Sequence, residues 1–251
     1  MKILFLGTGT STGIPQIACN CEVCQSSDSK DKRLRTSLLV TVENKNILID
    51  CGPDFRQQML NYNVCNLDAV LLTHHHYDHI SGLDELRSFT NSKSMPIYVE
   101  QNVEDTIKRL FPYCFGDNRY PGVASFDIRI INNTPFRVAD NDVMPIRVMH
   151  YNLPIFGYRI GNMAYITDML TISDEELEKL RSLDLLIINA LRHTEHISHQ
   201  TLESALRIIE KVAPKKAYLI HMSHQMGLHN EVSKQLPPNV YLAYDGLQIE
   251  L

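Results

Sequence analysis

The chain has no apolar run long enough to cross a bilayer as a helix. Its opening stretch, Met1-Lys2-Ile3-Leu4-Phe5-Leu6, breaks at Gly7, too short for a secretory signal. No membrane association is therefore expected, and the expected location is cytoplasmic. Positive charge is also scarce, with 24 Lys and Arg against 29 Asp and Glu and a net charge of -5. That balance argues against a general binder of nucleic acid or of anionic membrane surfaces. No linker, charge block, low-complexity tract or legible repeat divides the sequence, so one domain over 1–251 is expected. Cysteines are few and unevenly placed: three crowd into Cys19-Asn20-Cys21-Glu22-Val23-Cys24, and Cys51, Cys65 and Cys114 are scattered. This suits a metal knuckle in a reducing compartment better than a disulfide framework.

What is present is the pattern of an ordinary globular protein, 44% hydrophobic and 21% charged. Short β-like runs are expected at 3–6, 37–42, 46–50, 69–73, 97–99, 126–131, 143–149, 156–160, 163–167, 185–189, 217–220 and 240–244. Helical patterns are expected at 55–62, 81–90, 103–110, 174–181, 200–212 and 230–235. Two facing sheets with helices outside are the simplest packing for so many short buried strands.

The run Thr73-His74-His75-His76-Tyr77-Asp78-His79 sits where an apolar stretch, Asp68 to Leu72, gives way to a helical pattern. His74 and His76, two apart in extended backbone, face the same way and can share one cation, while Asp78 and His79 can reach a second. Further ligands should also lie where strands end. His150 after Val148-Met149, Asp168 after Tyr165-Ile166-Thr167, and His221 after Leu219-Ile220 have that placement. Asp50, in Leu48-Ile49-Asp50-Cys51-Gly52, is placed to brace the histidine loop. Five imidazoles and two carboxylates around two divalent cations leave a formal charge of about +2, or about +1 with a bridging hydroxide. Such a site draws in anionic substrates. Its donors suit zinc best, with manganese or iron as further possibilities.

Cys19, Cys21 and Cys24 supply three thiolates, and His224, three residues after His221, is the candidate fourth ligand. Such a site has no open position and is structural. His199, in Ile197-Ser198-His199-Gln200-Thr201, is the candidate proton donor, placed at the expected start of a helix, whose N-terminus disfavours imidazolium. Asp78 can share proton handling while ligating metal. Gly7 to Gly13 reads mainly as a turn leading to the knuckle, and Arg33 and Arg35 as a solvated pair more than as substrate contacts. The aromatic-rich stretch Phe111 to Pro121 reads as a lid or an interface.

A strand ending in Asp-x-Gly, then Thr-His-x-His-x-Asp-His, a later His, a later Asp and a final His resembles the metallo-β-lactamase superfamily over almost the whole chain. The resemblance implies an α+β fold, an αββα sandwich with metals at the rim between the sheets. It implies one cation on His74, His76 and His150, a second on Asp78, His79 and His221, and Asp168 bridging them with a hydroxide. Within the superfamily, the Cys-x-Cys-x-x-Cys knuckle and Ile220-His221-Met222-Ser223-His224-Gln225 are similar to the phosphoribosyl cyclic phosphate phosphodiesterases. There the knuckle is structural, and a histidine at the position of His199 donates the proton. The implied cofactors are two catalytic divalent metals, zinc or manganese, and one structural zinc. The implied partners are a small anionic phosphodiester, a cyclic one in those enzymes, and a second copy of the chain. Two alternatives stand beside this reading: an endonuclease of the transfer-RNA-processing type, and a non-hydrolytic protein like the pyrroloquinoline quinone biosynthesis relative, which shares the knuckle.

Overall fold

Strand residues alternate between two apolar environments, and that alternation sets the layering. The computed structural model describes residues 1–90, 93–116 and 119–251. Among them the strands, in chain order, are β1 Lys2–Gly7, β2 Ser37–Val42, β3 Lys45–Ile49, β4 Ala69–Leu71, β5 Met95–Val99, β6 Phe126–Ile130, β7 Phe136–Val138, β8 Asn141–His150, β9 Leu153–Ile160, β10 Met163–Ile166, β11 Thr171–Ile172, β12 Leu185–Asn189, β13 Lys216–Ile220, β14 Val240–Leu242 and β15 Gln248–Glu250. One sheet has the order β15-β1-β2-β3-β4-β5-β6, and the other β11-β8-β9-β10-β12-β13-β14, with β7 beside β8.

Leu38, Val40, Ile47 and Ile49 of the first sheet share one core with Phe156, Tyr158, Tyr165 and Ile187 of the second. Their neighbours Leu39, Leu48 and Val70 turn outward onto Phe55, Met59, Val103 and Ile107 from helices 55–61 and 101–110. Leu186, Ile188 and Leu219 turn outward onto Leu202, Ala205, Ile209 and Val212, which recur at helical spacing along 202–212. The result is the expected αββα sandwich. Its rim is made where β3, β4, β10 and β13 end, all of them in parallel pairings. In such sheets the crevice beyond the carboxyl ends is where ligands gather. No helix among the described residues is long and apolar enough to cross a membrane.

Three expectations are corrected. The helical pattern at 81–90 is a 3-10 helix over Leu83–Phe89. The helix expected from 200 begins at Leu202, with the Thr201 side chain capping Ser204 N, so His199 precedes it in irregular backbone. Arg33 is not solvated: fully buried, it donates to Thr8 Oγ1 at 2.8 Å, to Ala243 O at 2.6 Å and to His229 Nδ1 at 3.1 Å. Arg35 pairs with Asp54 at 3.0 Å. Phe111 and Cys114, from the aromatic-rich stretch, pack into the core outside the first sheet, while Tyr113 and Tyr120 are exposed. Asp117 and Asn118 of that stretch lie outside the described residues.

Burial beside the Arg33 guanidinium pushes His229 down to about 4. Between its ordinary value of 6.5 and about 4 the unfolded chain binds a proton there that the folded chain does not, so stability is lost as pH falls through that window. Asp245 acts oppositely. Burial raises it to about 6 against the N–H of Leu34 and the hydroxyl of Thr8, so its contribution is lost as pH rises from 3.8 to about 6. Replacing His229 with Gln removes one side of this balance. The expected outcome is a smaller loss of unfolding free energy between pH 7 and pH 4.5 than in the wild type, by on the order of 1 kcal/mol, read by calorimetry. An unchanged drop would show that His229 does not titrate differently in the folded and unfolded chains.

Candidate metal centre

Each candidate ligand lies at or just beyond a strand end, and the backbone there is unusual. Asp50 and His221, immediately after β3 and β13, have φ of 62° and 54°, and Asp168, two residues after the end of β10, has φ of 54°. Non-glycine residues held in this region are uncommon, and the surrounding structure must impose it. The turn after β4 carries His74 and His76, and a short helix, Tyr77–Ile80, carries Asp78 and His79. That helix is pinned to the end of β3: Cys51 N donates to His79 O and Gly82 N donates to Cys51 O. A Cβ on Gly52 would lie 2.0 Å from Asp78 O, and one on Gly82 would lie 2.1 Å from Gly52 O. Glycine is required at both positions for this approach.

The structure brings together the residues read from sequence. His74, His76 and His150 form one group of closely set donor atoms, and Asp78, His79 and His221 another; Asp168 joins His74 and His79, and also His150 and His199. Within each group the donor atoms lie within 4.8 Å of one another. His79 Nε2 is 3.1 Å from Asp78 Oδ2 and 3.2 Å from Asp168 Oδ2, and His221 Nε2 is 3.3 Å from that same Asp168 oxygen. Asp50, fully buried, accepts from His79 Nδ1 at 2.7 Å and from Thr73 N at 2.8 Å, so it braces the loop as expected. The Thr73 hydroxyl donates to Asp50 and can accept from His74 Nδ1 at 3.0 Å. His150 Nδ1 donates to the carbonyls of Asp168 and Ser198. These contacts leave Nε2 of His74, His79 and His150 facing the site, where they can bind a cation.

A divalent cation fits this donor set. Nε2 of His74 is buried without a hydrogen-bond partner among the described residues, and Nε2 of His79 lies beside the Asp78 and Asp168 carboxylates without a well-aligned hydrogen bond, a costly arrangement unless something else sits between them. Burial pushes His74 well below its ordinary value. At His79 burial is overcome by the carboxylates of Asp78, Asp50 and Asp168, which raise it well above. Burial is likewise overcome at Asp168, lowered by His221 and His79. Asp78 and Asp168, both held below the ordinary carboxylate range, thus stay ionised and ready to bind a cation.

The knuckle closes in the same way. His224 Nδ1 is 3.4 Å from Cys19 Sγ and 3.2 Å from Cys21 Sγ, and Cys24 completes the group. These separations approach the edge of about 3.5 Å that a tetrahedral zinc with one imidazole and three thiolates requires. Contact with the backbone of Cys24, and then with His224, draws Cys21 down to about 6, a thiol ready to ionise.

A family model described as the beta-lactamase superfamily domain matches residues 45–222. The chain belongs to this superfamily. A solved structure described as a new diphosphatase from the PhnP family superposes with a TM-score of 0.93 at 38% identity, covering 100% of this chain and 97% of that one. An octanoyltransferase of Porphyromonas gingivalis is 49% identical over 251 residues, 99% of this chain but 51% of that protein. A zinc-bound PqqB from Methylobacterium extorquens has the same fold, with a TM-score of 0.81, 18% identity and full coverage of both chains. The chain spans about half the length of the curated relatives first matched.

For a superfamily fold the divalent ions are the implied cofactors, and His199 lies beside their site. Its ring centroid is 4.6 Å from that of His150 and 5.0 Å from that of His221, and its Nδ1 is 3.6 Å from Asp168 Oδ1. Burial, partly offset by Asp168, pushes it down to about 3. The low affinity for a proton expected from a helix N-terminus is present, but its cause is burial.

Two participants escaped the sequence reading. Tyr158 of β9 donates to Leu72 O at 2.6 Å, and Phe156 N donates to Thr73 O, tying the second sheet to the root of the histidine loop. In sequence Tyr158 is one more apolar-face strand residue. Thr73, ahead of the histidines, had the only local signal, a hydroxyl directly before the ligand cluster.

Proposed function

We propose that the chain is a hydrolase of small phosphodiesters, with 1–251 working as one unit. His74, His76 and His150 would hold one cation and Asp78, His79 and His221 a second, with Asp168 between them. Zinc or manganese suits the site, and a structural zinc suits Cys19, Cys21, Cys24 and His224. When bound, the ion pair supplies charge stabilisation at phosphorus and a water acidic enough to attack at neutral pH. Asp50 and Thr73 fix ring orientation through His79 and His74.

The observation that carries this reading is His199, an imidazole stacked on His221 and tilted against His150 at the edge of the donor cluster. Diester hydrolysis needs a proton on the departing oxygen, and His199 is placed to hold it. An arriving phosphodiester anion would raise its low proton affinity, in the direction a proton donor needs. The net charge of -5 weighs against a long polyanionic substrate such as RNA.

Elemental analysis of tag-free protein tests this, together with hydrolysis of bis(p-nitrophenyl) phosphate. We expect about three divalent metals per chain, with His76→Ala losing turnover and at least one metal. A single metal that survives the substitution would overturn the dinuclear reading; three metals without diesterase activity would favour a binding or biosynthetic role.

A second reading arises from the 49% identical octanoyltransferase. The acyl transfer of that protein would then extend to this chain. We place it instead in the half of the relative that this chain does not cover, since a histidine-carboxylate rim suits hydrolysis of an anionic ester. Octanoyl transfer from a thioester, assayed on the same preparation, would reverse that assignment.

A further inference from the structure

Strands β8 and β9 pair down to His150 and Leu153, so Tyr151-Asn152 is a two-residue hairpin loop next to a candidate ligand. Tyr151 has φ of 53°, and Asn152 is not among the residues with positive φ. Hairpins of this form favour glycine at the first loop position. Here the chain holds a bulky aromatic there, with 53% of its surface exposed. The exposed ring borders a cavity of about 440 Å³ lined by His76, His150, Tyr151, Asn152, Leu153 and Ser198. None of the six is Lys, Arg, Asp or Glu. A second cavity, of about 210 Å³, is lined by His199, Thr201, Ser204, Arg207 and Glu195 among others.

Resting on the phosphodiesterase reading, we propose that these cavities are two subsites, and that Tyr151 determines what the first accepts. An in-line displacement leaves the departing oxygen near the proton donor, so the departing group goes with His199 into the second cavity. The group that stays on phosphorus then occupies the first. A neutral cavity bordered by an exposed tyrosine ring, with an amide and a hydroxyl at Asn152 and Ser198, suits a planar heterocycle such as a nucleobase: the ring stacks and the polar groups meet its edge. A second phosphate would find no cationic side chain there.

The test uses two diesters with the same departing group, the p-nitrophenyl ester of thymidine monophosphate and methyl p-nitrophenyl phosphate. Tyr151→Ala should lower the ratio of their kcat/KM values about tenfold, mainly through KM of the thymidine ester, and Tyr151→Phe should keep the ratio. Equal losses on both esters, or a ratio that falls in Tyr151→Phe, overturn the stacking role. The sequence contains no tryptophan, so Tyr151→Trp makes the hairpin the sole indole reporter. Its emission should respond to thymidine monophosphate and not to methyl phosphate. A selective response from a protein that turns over neither ester would retain the subsite and reject the diesterase. No response would reject the subsite, whatever the activity.

Discussion

Replacing His199 with alanine should slow hydrolysis of a diester with an alkyl leaving group by about 10²–10⁴-fold, with the metal content unchanged. An alkoxide is a poor leaving group and needs a proton as it departs, whereas p-nitrophenolate leaves without one. The loss should therefore be much smaller for a p-nitrophenyl ester, and that contrast separates a proton donor from a residue that shapes the site. Metal retention is the second discriminator, because His199, His150 and Asp168 also form a closely set donor group. Loss of an ion in His199→Ala, or equal losses on both leaving groups, would make His199 a ligand or a structural residue. The geometry favours the donor: His150 and His221 belong to the two three-residue groups, and His199 lies against both from outside, stacked on His221 and tilted to His150.

The second large effect is expected at the knuckle. Cys21→Ser should remove one metal and lower stability by several kcal/mol, roughly 10 °C in Tm. The segment around it has little core of its own: Ile14, Val23 and Cys24 are its buried apolar residues. Metal ligation must therefore supply what burial does not. The damage should also reach the other site. Thr10 N donates to Met222 O and Met222 N to Thr8 O, so the strand leading to the knuckle is paired with the residue after His221. Weaker binding of one catalytic ion should accompany the loss of the structural one. A metal count and Tm equal to wild type would show that the three cysteines are reduced thiols packed without an ion.

Much of the architecture was legible because the buried strands are short apolar runs set apart by polar and turn residues. Ser37–Val42 and Leu185–Asn189 have the bounds expected of them. The short edge strands Phe136–Val138, Thr171–Ile172 and Gln248–Glu250 were not, since two or three residues carry no period. Arg33 was misread because charge near the surface in sequence says nothing of the buried acceptors that Thr8, Ala243 and His229 provide.

The site divides along the same line. His74, His76, Asp78 and His79 were readable together because six consecutive positions hold them, and a strand-to-helix turn leaves few ways to place them. Cys19, Cys21 and Cys24 were readable for the same reason. The sequence by itself thus determined the layered class, the two clusters of donors and their chemistry. Only the tertiary structure decided that His150, Asp168, His199 and His221, each an ordinary strand-end or loop residue, converge on one rim. Their approach depends on contacts between distant segments: the tight packing of Gly52 and Gly82, Tyr158 reaching across to Leu72, and left-handed backbone at Asp50, Asp168 and His221. Periodicity records which face a residue turns to; it does not record which other strand that face meets.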